Sequence, residues 1–377
     1  MHRRFSVFGI ALLCLLRTAQ AYGPVGHEIV GAIADERLEK TPTGKQVSAL
    51  LQGLSLKKAA VIADEIKGWD KKTPDDPKAF HYRRRPELDA QLTAYWKANP
   101  PTKDPNSPAP SHHWFHYTEV PVVKPQKYED GTVGRSKWDV VHMIGYCVDV
   151  LQGRIPEDNE RKITKPIAVI LLAHFVGDIH QPLHVGAQYF DKGGNVVDPA
   201  KDQSALEDEG GNTLTFKSAD FGVENGAGKT RKFHVFWDLD TVAALLPTVP
   251  EGTTKTDRRA MMDTAEDDLV RDMAGREPSN WKAPSGVDAN HYGYIWANDI
   301  LPIAREAHER LVIKNVAPMD DEGRTVAAGE IEQKPGSAPD DYRKWAVEVV
   351  KEELHKAGWR LADLLEKSLS SPAPPKP

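Results

Sequence analysis

The sequence predicts a mainly α-helical protein, a single compact domain with long surface loops. Three observations predict it. Apolar residues recur at three- to five-residue spacing through most of the chain, the helical period. Convincing alternating strands are scarce. Polar stretches at 71–111, 186–231 and 317–339 separate the periodic segments, and no linker divides the chain.

The elements follow in order. His2, Arg3 and Arg4 make a short basic start, an apolar run fills 5–16, and Thr18-Ala19-Gln20-Ala21 offers a small-residue cleavage pattern. This is the three-part form of a secretory signal peptide, and it predicts removal of residues 1–21. The apolar run is shorter than the roughly 20 residues a membrane span needs. The expected product is secreted or periplasmic, begins at Tyr22 and has no membrane span. Segment 27–38 places Ile29, Val30, Ile33 and Leu38 at helical spacing; 47–56 and 57–69 read similarly. A short strand-like stretch follows at 117–123. Helices are predicted over 139–152 and 165–180, a strand near 213–216, and helices over 263–273, 294–312 and 340–369. The insert at 317–339 reads as acidic and flexible. The Pro-rich tail 370–377 is predicted disordered, so the working domain is 22–369.

Charge narrows the chemistry. The net charge is −6, and three of the basic residues lie in the leader, so the mature chain is more acidic still. An acidic protein that takes a polyanion needs another source of positive charge, such as bound metal. Cys147 is the only cysteine after residue 21, so no intrachain disulfide can brace the mature chain. Metal is a candidate for that role as well.

The strongest motif is Ala173-His174-Phe175-Val176-Gly177-Asp178-Ile179-His180-Gln181-Pro182-Leu183-His184. His174 and Asp178 are four apart and share one helix face. Imidazole with carboxylate suits zinc. Pro182 disfavours helix in the residue before it, which would turn His184 back toward the same region. His234 and Asp238 repeat the four-residue spacing. Tyr22, as first residue, would offer a free α-amine five residues ahead of His27, and an α-amine titrates near pH 8, low enough to bind metal. Asp64 ends an apolar run on a predicted helix, where a buried carboxylate needs a partner. His112, His113 and His116 cluster, and spacing alone does not say which of them points inward.

Together these residues resemble the zinc-dependent single-strand-specific nucleases, also called 3′-nucleotidases, whose fold is shared more distantly by zinc phospholipases C. The resemblance rests on Gly23 to His27, the Ala-Asp segment at Asp64, His116-Tyr117, the block from His174 to His184, Gly210-Gly211-Asn212, the block from His234 to Asp238, and Ala357 to Ala362. It spans nearly the whole mature chain in family order. It implies a compact helical domain of the phospholipase C and nuclease type and three Zn2+ ions. One ion would be held by Asp64, His116, His174 and Asp178, and a second by His184, His234 and Asp238. The third would use the α-amine and carbonyl oxygen of Tyr22, with His27 and Asp178. Asp64, Lys67 and Asp178 would be catalytic, and Tyr117, Glu119 and Asn212 would meet substrate. The chain departs from the family in having Tyr22 for tryptophan, Lys67 for arginine and Glu119 for aspartate. The insert at 71–111 also holds a second His-aromatic pair, His81-Tyr82; His116-Tyr117 is preferred because β-branched-rich sequence follows it.

The implied activity is hydrolysis of single-stranded DNA or RNA to 5′-phosphate products by a monomer, with 3′-nucleotidase activity. Two rivals remain at this stage. One is a phospholipase C or phosphomonoesterase on the same zinc cluster. The other is a non-catalytic protein that uses zinc to replace disulfides. Structural zinc sites are normally closed by four protein ligands, whereas the set at His184, His234 and Asp238 has three.

Overall fold

A computed structural model describes residues 22–102, 109–223, 229–321 and 323–370. The predicted signal peptide therefore lies outside the described residues, as do residues 371–377 of the predicted tail; Ser370 closes the last helix. The architecture is mainly helical, as predicted.

Helix Lys165–Asp178 is the axis of the core. Thr164 caps it, its side chain accepting from the Ile167 amide, and Pro166 sits in its first turn. Both are favoured helix starts. From Ile167 to Asp178 every residue is buried. An all-round apolar helix must be enclosed by others, and each large apolar side chain so buried is worth about 1.5–3 kcal/mol. The enclosing helices include Val140–Leu151, Gly23–Leu38 and Asp341–Ser370. The first and last of the described helices come close at Gly358, where a Cβ would sit 2.5 Å from Ile33. Helices Lys255–Gly275 and Tyr292–Glu309 complete the shell. Among the described residues no helix is long and apolar enough to cross a membrane.

Four sequence expectations are corrected. The helix expected over 57–69 is broken into Leu56–Ala59, Ile62–Glu65 and a 3-10 turn Ile66–Asp70. The break points Asp64 and Lys67 toward the interior face. The insert at 71–111 contains a helix, Pro86–Ala98, started by Pro86 and burying Leu88, Leu92, Tyr95 and Trp96. Most of the stretch 317–339, expected to be flexible, is a long antiparallel hairpin, Leu311–Asp321 with Arg324–Gln333. Its acidic residues masked the apolar positions that become buried, Val326, Ala327 and Ile331, with Ile313 opposite Ile331. Arg324–Gln333 also pairs with Leu214–Lys217, which pairs with Thr230–Lys232, giving a four-stranded sheet. The strand-like stretch near 117–123 contracts to Val120–Pro121, in parallel register with Gly186–Ala187.

Candidate metal centre

Ligand-type side chains from six separate segments meet at one end of the central helix. His174 and Asp178 project from its last turn. The chain then forms a tight turn at Pro182–His184, which returns His184 to the same place. His27 comes from the first helix and lies flat on His174, ring centroids 3.8 Å apart. Gly177 makes this possible, because a Cβ there would stand 2.7 Å from His27 Nδ1. Asp64 arrives from Ile62–Glu65 and His116 from the 3-10 turn His112–His116. His234 and Asp238 come from Phe233–Val235 and the π-type turn that follows it. All of these residues are buried.

The distances form clusters. His116 Nδ1 lies 3.0 Å from His174 Nε2 and 3.0 Å from Asp178 Oδ2. His174 Nε2 is 3.3 Å from Asp178 Oδ2 and 3.7 Å from Asp64 Oδ1, and His116 Nδ1 is 4.0 Å from Asp64 Oδ1. Ligand atoms about 2.0–2.1 Å from a tetrahedral zinc stand about 3.3 Å from each other, so this set has the size of one such shell. A second set has His184 Nε2 3.0 Å from His234 Nε2, with Asp238 Oδ2 3.5 Å from the latter. His27 Nε2 is 3.4 Å from Asp178 Oδ1, so the two oxygens of Asp178 face different neighbours. The backbone amide of Tyr22 donates to Asp238, which places the main chain of Tyr22 beside the same centre.

The imidazoles are oriented from behind. His174 Nδ1 donates to Ala60 O at 2.6 Å, His184 Nδ1 to His116 O at 2.8 Å, and His234 Nδ1 to Gly210 O at 2.7 Å. A carbonyl only accepts, so each Nδ1 carries the proton and each Nε2 presents a lone pair inward. The lone pairs of His184 and His234 thus face each other at 3.0 Å. That arrangement is repulsive unless a Lewis acid lies between them. Asp178 Oδ1 and Asp238 Oδ2 are buried with no hydrogen-bond partner among the described residues. Such oxygens are costly unless a cation meets them. The donor set therefore fits metal.

Electrostatics agree. Burial pushes the Asp178 carboxyl up to about 8, opposed by His174 and reinforced by Asp64. Burial raises Asp238 well above the usual carboxylate range, with Asp64 and Asp178 adding to it. Burial works against Asp64 too, but Lys67, His174 and His27 outweigh it and hold that carboxyl below its ordinary value. Burial lowers His116 and His184, and takes His234 down to about 4. At pH 7 His116, His174, His184 and His234 are neutral while Asp178 still holds its proton. Loading metal into chelated protein at pH 7 is therefore expected to release protons from the carboxylates rather than the histidines. Calorimetric titration in buffers of different ionisation enthalpy measures this. An enthalpy independent of buffer contradicts it.

Other predicted residues occupy distinct places. Lys67 Nζ reaches Asp64 Oδ1 at 2.6 Å. His81 pairs with Asp89 at 2.9 Å and stays out of the centre, so of the two His-aromatic pairs it is His116-Tyr117 that the fold brings inside. Asn212 turns its amide to Glu209 O at 3.1 Å. The glycines before it adopt φ of 56° and 78°, a region that favours glycine, and so deliver the Gly210 carbonyl to His234. Glu119 is raised well above its ordinary value by burial and by sharing a hydrogen bond with Glu207. Arg324, from the tip of the long hairpin, donates to Glu207 at 3.1 Å and pairs with Glu209. Sequence reasoning missed these hairpin contacts and also Gln181, whose Nε2 donates to Asp238 Oδ1 at 2.8 Å. Gln181 stood inside the strongest motif, which was the available signal.

Fold and site define a class, a mainly helical protein built around a buried group of histidines and aspartates able to hold metal. Within that class the chain belongs to the S1/P1 nuclease family, whose profile matches residues 22–370. Among its relatives, Endonuclease 2 and Endonuclease 1 of Arabidopsis thaliana are each 26% identical, over 207 and 206 residues. Each match covers 52% of this chain, with 57% and 54% of the respective relative. The chain thus spans little more than half the length of these two. Endonuclease 4 of the same plant is 24% identical over 273 residues, 69% of this chain and 74% of that one.

Proposed function

We propose that the protein is an exported, zinc-dependent phosphodiesterase that hydrolyses single-stranded DNA and RNA to 5′-phosphate products and acts as a 3′-nucleotidase. The observation that carries this is the pair of inward lone pairs on His184 and His234, held 3.0 Å apart beside an unpartnered Asp238 oxygen. A set of three ligands leaves a coordination position open for substrate. Membership of a nuclease family supplies the substrate class.

Three zinc ions are proposed, held by Asp64, His116, His174 and Asp178; by His184, His234 and Asp238; and by Tyr22, His27 and Asp178. Tyr22 would contribute its α-amine once residues 1–21 are removed. Bound there, zinc supplies Lewis acidity toward phosphate and lowers the pKa of a water nucleophile toward neutrality.

The chain's own residues do the rest. Asp178 turns one oxygen to the His116–His174 group and the other to His27, so one carboxylate would serve two metal positions. Lys67 sits against Asp64 and adds a cation where phosphate oxygens would arrive. Tyr117 offers a face for stacking one base, which favours an unpaired strand. Glu119, two residues further on and close enough to act electrostatically on Tyr117, offers a carboxyl for that base's edge.

The test is a substrate panel on the metal-loaded protein: single-stranded DNA, RNA, a 3′-nucleotide, duplex DNA and phosphatidylcholine. Single strands and the 3′-nucleotide are expected to be cleaved, with duplex and lipid slower. Tyr117→Ala is expected to cost about 1–3 kcal/mol of single-strand transition-state binding, seen as about a 5- to 150-fold fall in kcat/KM. Preferential hydrolysis of phosphatidylcholine would replace this reading with a phospholipase.

A further inference from the structure

We propose that Asp70, His112 and His113 form a separate divalent-metal site, outside the centre described above. Asp70 ends the 3-10 turn Ile66–Asp70, and the two histidines open the turn His112–His116. Both imidazoles aim Nε2 at one carboxylate. His113 Nε2 is 2.5 Å from Asp70 Oδ2, and His112 Nε2 is 3.2 Å from Asp70 Oδ1. The three side chains offer ligand atoms that all lie within 4.8 Å of one another.

The surroundings resemble those of a ligand set. The Trp96 indole N–H donates to Asp70 Oδ1 at 2.8 Å, the kind of outer hydrogen bond that orients a ligating carboxylate. Trp96 belongs to the helix inside the 71–111 insert, which gives that insert a task. The His112 side chain is buried at 1% exposure, whereas His113 is 33% exposed, so the group is anchored on one side and open to water on the other. Burial opposes ionisation of Asp70, but its bonds to His112 and His113 prevail and keep it ionised; burial keeps His112 neutral. One anionic oxygen donor with imidazole nitrogens is a zinc-type set with room for water in the remaining position.

The placement has a purpose. Asp70 is three residues beyond Lys67, and His113 is three residues before His116. A dication here would fasten together the two turns that carry Lys67 and His116. It would also add positive charge beside Lys67. The proposal does not depend on the function proposed above, since it concerns only metal uptake.

The experiment compares full-length protein with His113→Gln and His113→Ala. Each is stripped with chelator, reloaded with Zn2+, passed through a desalting column and analysed for bound metal. The native protein is expected to retain one equivalent more than either variant, with near-UV dichroism unchanged. Glutamine can still hydrogen-bond to Asp70 but is a poor zinc ligand, so it separates a metal site from a hydrogen-bonded clamp. Equal zinc in native protein and in a folded His113→Gln variant overturns the proposal. Should both variants misfold, Co2+ titration of a His113→Cys variant decides: a thiolate–cobalt charge-transfer band that the native protein lacks supports the site, and its absence overturns it.

Discussion

Asp178→Asn is expected to lower phosphodiester hydrolysis by about 10³-fold, the upper end of what one electrostatic group contributes, because in the proposed arrangement this residue would serve two metal positions. The same substitution is expected to make the metal-free protein more heat-stable at pH 8. In the folded chain burial lifts the Asp178 pKa from 3.8 to about 8. Between those values the folded state binds more protons than the unfolded one, so stability falls as pH rises through that window. Asparagine cannot ionise and escapes the penalty. The gain is absent near pH 3, grows with pH and is complete above about 8. Melting of chelated native and variant protein at pH 4 and pH 8 checks it. A variant that melts below the native protein at pH 8 contradicts the account of burial.

Arg360→Ala is expected to cost about 3–5 kcal/mol of stability, the range for breaking a buried charged network. The guanidinium, 2% exposed, donates Nε to Trp281 O at 2.8 Å and Nη2 to Asn280 O at 3.1 Å. It also donates Nη1 to His180 Nε2 at 2.9 Å and Nη2 to Asp299 at 2.5 Å. Alanine leaves the His180 nitrogen and the Trp281 carbonyl unsatisfied in the core, each costing about 1–3 kcal/mol. The damage should spread to the metal centre, because the His180 carbonyl accepts the Tyr22 hydroxyl at 2.6 Å. Lysine lacks the planar fork and should not restore it. Urea unfolding monitored by tryptophan fluorescence gives the difference; a loss under about 1 kcal/mol would mean that the network is weak.

The helical class was legible because apolar spacing is a local property. Helices predicted at 139–152 and 340–369 appear within a residue or two, as Val140–Leu151 and Asp341–Ser370. Periodicity failed at 57–69, where the turn around Asp64 and Lys67 is fixed by packing against the central helix and by the Lys67–Asp64 pair, neither of which leaves a mark on spacing. It failed at 317–339 because pairing with Leu214–Lys217, distant in sequence, decides the strand. In the site, residues at helical spacing such as His174 and Asp178 declared a shared face. Which of His112, His113 and His116 turned inward did not show, since a 3-10 turn sends neighbours in different directions. Here His116 meets Asp178 while the other two meet Asp70. The charged cluster of Glu119, Glu207 and Arg324 joins segments about a hundred residues apart and left no local trace.

Cys147 is the one free thiol of the described residues, and it lies buried where desolvation keeps it protonated and inert. Among the described residues reducing agents consequently have nothing to cleave and oxidants little to attack. The vulnerability lies with sequestering agents instead. A chelator such as citrate could disarm such a molecule without touching a covalent bond, and resupply of metal could rearm it.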